Sequence, residues 1–347
     1  MKNLCVIGYG VMGRWHAEQA KNSDVVRLAG VYDISEKMCA QACADGIDVY
    51  ESLEAVFADE NVDIVTIATR NETHKEYVIR ALEAGKHVIC EKPVALNSTD
   101  LQEMIDVALR CERVFTVHQN RRWNVDFLKM KELIDSGELG KIYSVESRIH
   151  GSRGIPSGWR GKKEFGGGML YDWGVHLIDQ MLKLIPKKIV RISCIFDHIT
   201  VEEVDDGFKL TLFYEDGSTA YIEVGTYNLI SMPRFYLRAE KGTAMITDWK
   251  EKCKFVRLNA WSEADVLPHL KSEEVPMTMA PRDAVTTDAF ELEIPTADAH
   301  DFYRNVCAAA DGKEAAYVSH ADMLRVLRVI ETAFEAAARQ NAVECFI

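Results

Sequence analysis

The sequence lacks an apolar run long enough to cross a membrane, a C-x-x-C cysteine pair, an internal repeat and a low-complexity tract. A membrane span needs roughly 20 apolar residues, whereas the first apolar run, residues 4–7, ends at Gly8 and is also too short for a signal peptide. Nine cysteines without paired spacing support neither a disulfide framework nor a zinc ribbon. We therefore expect a cytoplasmic protein with free thiols and no membrane association, whose mature chain begins at or near Met1.

Positive charge is also scarce. The 41 lysines and arginines are outnumbered by 54 aspartates and glutamates, which gives a formal net charge of −13. Such a field repels phosphate backbones, so we expect no nucleic-acid partner. Hydrophobic residues make up 48% of the chain, as in ordinary globular proteins. The length of 347 residues exceeds that of one common domain and predicts two domains.

Short apolar runs alternate with longer amphipathic runs in the first third of the chain. One of them, Ile-Val-Thr-Ile-Ala at residues 64–68, is nearly continuous in apolar character. Such runs suit strands that are buried on both faces of a parallel sheet. We therefore predict an α/β fold in which residues 1–120 form a doubly wound Rossmann domain.

From residue 121 onwards the pattern is that of an open, mainly antiparallel sheet with helices. A helix is predicted over residues 125–135, and successive strands follow residue 187, with a hairpin loop at residues 215–218. Residues 267–295 contain four prolines and no clear period, which predicts a long surface excursion.

Two closing helices are predicted over residues 296–310 and 319–340, each capped by its first Thr or Ser. Residues 121–347 are thus predicted to be a substrate-binding and oligomerisation domain, whose last helices can pack back on the Rossmann domain. An open sheet covered by helices on one face leaves the other face exposed, so we expect a homodimer or homotetramer.

A glycine-rich motif, Gly8-Tyr9-Gly10-Val11-Met12-Gly13, follows the first predicted strand and opens a predicted helix. These glycines would allow a tight turn, a close approach of pyrophosphate and close packing of the helix on the sheet. The alternative is a glycine-rich turn without a ligand. Asp33 lies twenty residues later, where a carboxylate accepts hydrogen bonds from ribose hydroxyls and repels a 2′-phosphate, which favours NAD over NADP. Lys37 weakens that preference, and Asp33 alone could be a turn or capping residue.

Two further features point to a reaction centre. Lys92 follows a predicted strand, at the sheet edge where ligands collect, although an isolated lysine is more often solvated. Asp172 and His176 are spaced i and i+4, so a regular helix would point both the same way. A core histidine bonded to its own carboxylate is the structural alternative, and a zinc pair is a weaker one because no further ligand is suitably spaced. We therefore expect no metal.

Four segments in this order resemble the Gfo/Idh/MocA family, the oxidoreductases related to glucose-fructose oxidoreductase and inositol dehydrogenase. They are Ala68-Thr69-Arg70-Asn71 with His74, Glu91-Lys92-Pro93, Trp159-Arg160, and Gly166-Gly167-Gly168 followed by Asp172 and His176. The family usually has proline where this chain has Arg70. The resemblance implies a Rossmann domain, a second α/β domain on an open antiparallel sheet, and NAD or NADP as cofactor. The cofactor contacts that it implies, beyond the glycine motif and Asp33, are Thr69, Asn71, His74 and Glu91.

The resemblance also implies an enzyme that transfers a hydride between a secondary hydroxyl of a sugar, sugar derivative or cyclitol and nicotinamide. An imidazole can accept the hydroxyl proton at cellular pH, so His176 is the expected base. Lys92 would stabilise the developing alkoxide, and Asp172 would orient the sugar or the imidazole. Aromatic and donor side chains before the glycine triplet suit a polyhydroxylated ring, although that stretch could be an ordinary surface loop. The candidate substrate contacts are Gln119, Arg122, Arg153, Trp159 and Arg160.

Two other functions remain open. An enzyme with the same site could retain NAD and use transient oxidation to assist glycoside cleavage or epimerisation. A non-catalytic sugar or NAD sensor on the same fold would be expected to have lost Lys92 or His176, and both are present.

Overall fold

The fold is that of a two-sheet α/β protein. The computed structural model describes residues 1–259, 270–271, 276–277, 282 and 285–347. Within them a five-stranded parallel sheet and a nine-stranded, mainly antiparallel sheet are both packed against helices. The predicted fold class is confirmed.

The parallel sheet occupies the amino-terminal part of the chain and has the strand order β2-β1-β3-β4-β5. Its strands are β1 (Lys2–Ile7), β2 (Val26–Tyr32), β3 (Ile64–Ile67), β4 (His87–Cys90) and β5 (Phe115–Val117). The helices of this part are α1 (Val11–Lys21), α2 (Glu36–Ala44), α3 (Leu53–Ala58), α4 (His74–Glu83) and α5 (Ser98–Arg110). The order reverses beside β1, so β1 and β3 flank the crevice in which such sheets bind their ligands.

Strand β1 is buried on both faces, as its apolar run predicts. Leu4 and Val6 belong to a core that also contains Phe302 of the carboxy-terminal helix α8 (His300–Ala310). Cys5 and Ile7 point the other way, into the core shared with α3, α4 and α5. The carboxy-terminal region therefore packs directly on the Rossmann sheet.

The second sheet has the order β15-β12-β11-β10-β6-β9-β8-β7-β16, in which β6 and β9 are parallel. Its strands are β6 (Ile142–His150), β7 (Ile189–Asp197), β8 (Gly207–Tyr214), β9 (Thr219–Gly225), β10 (Phe235–Ala239), β11 (Gly242–Ile246), β12 (Cys253–Leu258), β15 (Thr287–Leu292) and β16 (Val343–Glu344). The short strands β13 (Leu270–Lys271) and β14 (Pro276–Met277) pair with each other. The helices that follow the Rossmann part are α6 (Val125–Asp135), α7 (Val175–Leu184), α8 and α9 (His320–Arg339).

Periodicity predicts α6, the strands β7 to β11 and the hairpin between β8 and β9, but it misses β6, β12 and β15. The surface excursion predicted over residues 267–295 is wrong for β15, which pairs along its length with β12. Phe255 and Phe290 face each other in this pair with ring centroids 5.7 Å apart. Pairing with β12 makes this segment a strand, and the local sequence does not indicate that pairing. Residues 267–269, 272–275, 278–281 and 283–284 of the predicted excursion lie outside the described residues.

The two closing helices begin differently. Ser319 accepts a hydrogen bond from the Asp322 backbone while Asp322 accepts one from the Ser319 backbone, so α9 has the predicted serine cap. Helix α8 begins at His300 and not at Thr296, with Ala299 at the capping position and no capping side chain. Among the described helices, none is long and apolar enough to cross a membrane.

On β8 and β9, the face of the second sheet opposite helices α7 and α9 is only half-buried. The buried side chains of β8 and β9 pack with α7 and α9, whereas alternate residues on the opposite face, such as Thr211 and Tyr221, are only half-buried. Thr211 and Tyr221 are neighbours on adjacent strands, and Tyr221 in turn neighbours Glu146 of β6. A mixed aromatic and polar face of this kind suits contact with a second copy of the chain.

We expect the protein to be at least a dimer through this face, and Thr211→Arg to shift it towards the monomer by placing an unpaired charge there. Light scattering of the wild type should give at least twice the chain mass of 39.2 kDa. Leu109→Arg, on a side chain 63% exposed in α5, is the matched control and should leave the mass unchanged. A wild-type particle of 39.2 kDa would contradict dimerisation.

Candidate active site

The glycine motif forms a tight strand-to-helix turn. Gly8 has φ +95°, and a Cβ on Gly13 would lie 1.7 Å from the Gly8 carbonyl oxygen, so the helix packs this closely only with glycine there. Gly10 precedes α1 and provides no capping side chain, which leaves first-turn N–H groups free to bind an anion. A Cβ on Gly10 would meet no protein atom within 4 Å, so the space above this backbone is open. The turn fits a pyrophosphate group.

A cleft of about 440 Å³ lies above this turn. The predicted cofactor residues that line it are Gly8, Gly10, Val11, Met12, Asp33, Thr69, Asn71 and Glu91. The predicted catalytic and substrate residues that line it are Lys92, Trp159 and Arg160. These predicted positions thus converge on one cavity between the end of the Rossmann sheet and the second domain, whereas Asp172 and His176 do not line it.

Asp33 both shapes the turn and faces the cleft. Its carboxylate accepts hydrogen bonds from the backbone N–H groups of Tyr9 at 2.6 Å and Ser35 at 2.8 Å. The next side chain, Ile34, is 77% exposed and carries no charge. The carboxylate therefore meets the cleft without an arginine beside it at position 34.

His74 lies behind the cleft wall and does not line it. Its buried ring bonds the Pro93 carbonyl at 3.0 Å and the Thr69 carbonyl at 3.2 Å. Asn71, which does line the cleft, donates to the Phe165 carbonyl at 3.0 Å and so links the two domains. His74 therefore positions the wall of the cleft. It is not placed for the direct cofactor contact that the sequence predicts.

An ion pair joins Lys92 of the Rossmann part to Asp172 of the second domain. Lys92 Nζ donates to Asp172 Oδ1 at 2.9 Å and to the Asp172 carbonyl at 2.8 Å. Arg160 Nε donates to Asp172 Oδ2 at 2.8 Å. Burial alone would raise the pKa of Asp172, but the charges of Lys92 and Arg160 outweigh it and lower the pKa below its usual value. The carboxylate is therefore ionised and holds the ammonium group in place.

His176 is buried beside this pair and bonds Gln119, not Asp172. Its Nδ1 lies 3.0 Å from Gln119 Oε1, an acceptor, so Nδ1 carries the proton and Nε2 is left with a free lone pair. Burial lowers the pKa of His176 well below its usual value, and the positive charges of Lys92 and Arg121 lower it further. The ring is neutral at physiological pH, as a proton acceptor must be.

The regular helix expected across Asp172 and His176 is wrong in detail. Leu170–Gly174 form a π-helical turn, and the α-helix begins only at Val175. A Cβ on Gly174 would lie 2.8 Å from Leu170 Cδ1 and 3.1 Å from the Phe208 ring, so the wide turn packs tightly against the sheet. Wide turns of this type occur at functional sites, and here the turn carries Asp172 towards Lys92.

Arg122 is not placed as a substrate contact. Its guanidinium is 1% exposed and forms a two-point ion pair with Asp179 at 2.8 and 2.6 Å. It also bonds Asp322 and the Tyr317 carbonyl, which ties the end of the Rossmann part to α7 and α9. A donor with these partners has a structural role, which corrects the expectation.

The neighbouring Arg121 faces the site instead. Its guanidinium lies 4.7 Å from the Trp173 ring and 5.3 Å from the Trp249 ring, and its charge acts on Asp172 and His176. The pair Arg121-Arg122 is visible in the sequence, but the turn decides which member is buried. Of the other candidates, Gln119 contacts His176, whereas Arg153 is exposed on a loop and lines no described part of the cleft.

Two histidines that the sequence did not single out hold Glu91. Oε1 of Glu91 lies 2.8 Å from His16 Nε2 and 2.8 Å from His118 Nδ1, and His16 Nδ1 lies 2.6 Å from the Tyr303 hydroxyl. Burial alone would raise the pKa of Glu91, but the two histidines lower it well below its usual value. Among the described residues, His16, Glu91 and His118 form the group whose ligand atoms lie close enough together to share a metal ion. The Glu91 Oε1 atom already bonds His16 Nε2 and His118 Nδ1. These hydrogen bonds orient Glu91, which precedes Lys92.

Comparison with known proteins agrees with this geometry. Residues 2–119 match the model of the oxidoreductase family with an NAD-binding Rossmann fold, GFO_IDH_MocA, and residues 127–245 match the GFO/IDH/MocA C-terminal domain. The chain belongs to the Gfo/Idh/MocA family. The resemblance seen in the sequence is confirmed.

Individual relatives of this Gfo/Idh/MocA protein include dehydrogenases. It is 32% identical over 189 residues to D-glucoside 3-dehydrogenase of Escherichia coli, which covers 52% of this chain and 53% of that protein. It is 30% identical over 212 residues to scyllo-inositol 2-dehydrogenase (NADP(+)) IolW of Bacillus subtilis, which covers 60% of this chain and 59% of that protein. The chain spans about half the length of the first curated relatives that it matches. A crystal structure of an NAD-binding protein from Listeria innocua has a TM-score of 0.94 and 42% identity, with 99% of both chains covered.

The burial of Arg122 predicts a large effect on stability. Arg122→Ala would leave the carboxylate of Asp179 buried without its partner, so the free energy of unfolding should fall by about 3–5 kcal/mol. Arg110→Ala removes an exposed pair with Glu83 and should change stability by less than about 1 kcal/mol. Urea unfolding followed by circular dichroism compares the two. Equal losses would contradict a structural role for Arg122.

Proposed function

We propose that this protein is an NAD-dependent dehydrogenase that oxidises a secondary hydroxyl of a sugar, a sugar derivative or a cyclitol. The observation that supports it most is that Lys92 lines the nucleotide-binding cleft and lies near enough to His176 for its charge to lower the pKa of that neutral ring. A group that donates a hydrogen bond and a group that accepts a proton are both needed on one alcohol oxygen. Relatives named as glucoside and inositol dehydrogenases support the class of substrate.

The cofactor would lie along the cleft from Asp33 to Lys92. The glycine turn and the first N–H groups of α1 would hold its pyrophosphate, and Asp33 would accept hydrogen bonds from the adenine ribose. When bound, nicotinamide supplies the acceptor for the hydride that leaves the substrate carbon.

The protein's own residues would manage the proton and the charge. His176 Nε2 would accept the hydroxyl proton, while Gln119 keeps the opposite nitrogen protonated and fixes the ring. Lys92 Nζ would donate to the same oxygen and stabilise the developing alkoxide, which Asp172 supports by holding the ammonium group. Asp172 bonds Lys92 and Arg160, so its proposed role is to position Lys92 and not the imidazole.

Substitution of the two proposed catalytic residues tests this mechanism. His176→Ala and Lys92→Ala should each lower kcat by roughly 100-fold or more, the scale for loss of a general acid or base, while NADH binding changes little. Because the pKa of His176 is lowered, its neutral form persists in mild acid, and the wild-type kcat/KM should not fall as pH drops through about 6.5.

Assays of NADH formation at 340 nm with a panel of sugars, glycosides and inositols provide the readout. His198→Ala, which removes an exposed histidine whose ring bonds the Val204 carbonyl, is the control. Near-wild-type turnover in both catalytic variants, with lower melting temperatures alone, would contradict the mechanism. Oxidation of sugar without release of NADH would favour an enzyme that retains NAD for redox-assisted cleavage or epimerisation.

Cofactor choice is a separate prediction, since one relative is named for NADP(+). The Asp33 carboxylate would face a 2′-phosphate with an uncharged Ile34 beside it, so kcat/KM should favour NAD, and Asp33→Asn should reduce that preference by roughly 10-fold or more. Asparagine keeps an oxygen for the Tyr9 or Ser35 N–H group. Asp48→Asn, at an exposed position in the same domain, is the control. Wild-type efficiency with NADP equal to that with NAD would contradict the prediction.

A further inference from the structure

Arg70 stands where the family usually has proline, and its side chain lies at the nucleotide cleft. It lines the cleft, and its Nε bonds Glu72 Oε1 at 3.0 Å. Its guanidinium carbon lies 5.0 Å from the centroid of the Phe165 ring, which belongs to the second domain. A cation at this distance over a ring face is attracted to the ring. The arginine therefore gives this chain a contact between the domains that the short, uncharged side chain of proline could not make.

Phe165 belongs to residues 159–166, a segment that forms the second-domain wall of the cleft. Among the described lining residues, only Trp159 and Arg160 come from the second domain, and the others come from the Rossmann part. Backbone hydrogen bonds link Phe165 to this wall, because its N–H donates to the Lys162 carbonyl at 3.2 Å and the Lys162 N–H donates to the Trp159 carbonyl at 3.0 Å. The position of the wall therefore depends on where the segment is held.

The segment is tied to the Rossmann part at both ends. At one end Arg160 Nε donates to Asp172 Oδ2 at 2.8 Å, and Asp172 Oδ1 accepts a hydrogen bond from Lys92 Nζ at 2.9 Å. At the other end Asn71 Nδ2 donates to the Phe165 carbonyl at 3.0 Å. The wall is thus held by contacts that cross between the domains, and a change at either end alters how firmly it is held.

The contact of Arg70 with Phe165 adds to the second of these ties. Without the arginine the Phe165 ring would lose its partner, while the Asn71 hydrogen bond would remain, so we expect a moderate effect. A cation over an exposed ring changes an equilibrium by a factor of about 2 to 5. Differences in affinity between related variants arise mainly in the dissociation rate, so the contact should act on the rate at which a bound dinucleotide leaves.

We propose that Arg70 is a positioning residue for cofactor retention, which holds residues 159–166 against the nucleotide cleft through the Phe165 ring and so slows the release of NADH. The inference rests on the proposed binding of NAD in this cleft, and it adds a residue that sets how long the cofactor stays bound. Arg70 acts through Phe165 and not by contact with the cofactor.

Stopped-flow displacement of NADH from the full-length protein by excess NAD tests this inference, because NADH fluorescence reports release without any sugar. Arg70→Met removes the charge and Phe165→Leu removes the ring face, and each should raise the dissociation rate constant about 2- to 5-fold. The double variant should show the same increase as either single variant, because all three lack the same contact.

Two further variants serve as controls. Phe165→Tyr keeps a ring beside Arg70 and should release NADH at the wild-type rate. Arg80→Met removes a cation that lies 5.4 Å from the Phe57 ring elsewhere in the Rossmann part, and it should also leave the rate unchanged. These comparisons separate the contact at the cleft from a general loss of stability.

The outcomes separate this inference from the proposed oxidation. A shared increase in the three variants supports it even if no sugar is oxidised. Unchanged release in Arg70→Met overturns it even if sugars are oxidised with formation of NADH. Increases that multiply in the double variant also overturn it, because Arg70 would then act on the cofactor independently of Phe165.

Discussion

The ion pair between Lys92 and Asp172 is the contact on which the site depends, because its two members come from different domains. Lys92 follows a strand of the Rossmann sheet, and Asp172 lies in the turn before α7 of the second domain. Neither domain alone contains the arrangement. The pairing is favourable only while Asp172 is ionised and buried beside two cations, so the docking of the domains and the charge of the site are linked.

The same positive charge sets the state of His176. Lys92 and Arg121 both disfavour a proton on its ring, in addition to burial. A histidine with a carboxylate partner would be drawn towards its charged form, and the bond to neutral Gln119 avoids this. The positive groups that would stabilise an alkoxide in the proposed reaction therefore also keep His176 neutral, so one electrostatic arrangement serves both proposed roles.

Local sequence patterns were sufficient for the parts of the fold that have local causes. The apolar run of β3, the glycine turn before α1 and the serine cap of α9 each depend on neighbouring residues, and all three are found. Strand β15 pairs with a partner strand, and the π-helical turn packs against Phe208 of β8. Features with distant causes cannot be inferred from a single sequence by periodicity.

The candidate site divides in the same way along residues 118–122. His118 holds Glu91, Gln119 holds His176, Asn120 and Arg121 line a cavity of about 470 Å³, and Arg122 joins the domains. Sequence order shows that these residues are adjacent, but the direction of each side chain is set by the turn after β5 and by partners up to 200 positions away. This segment therefore contacts Glu91 at the cofactor cleft, His176, a cavity wall and the contact between the domains. A shift of its backbone would disturb all four together, which is a physical reason for the tight fixation of Arg122 in the core.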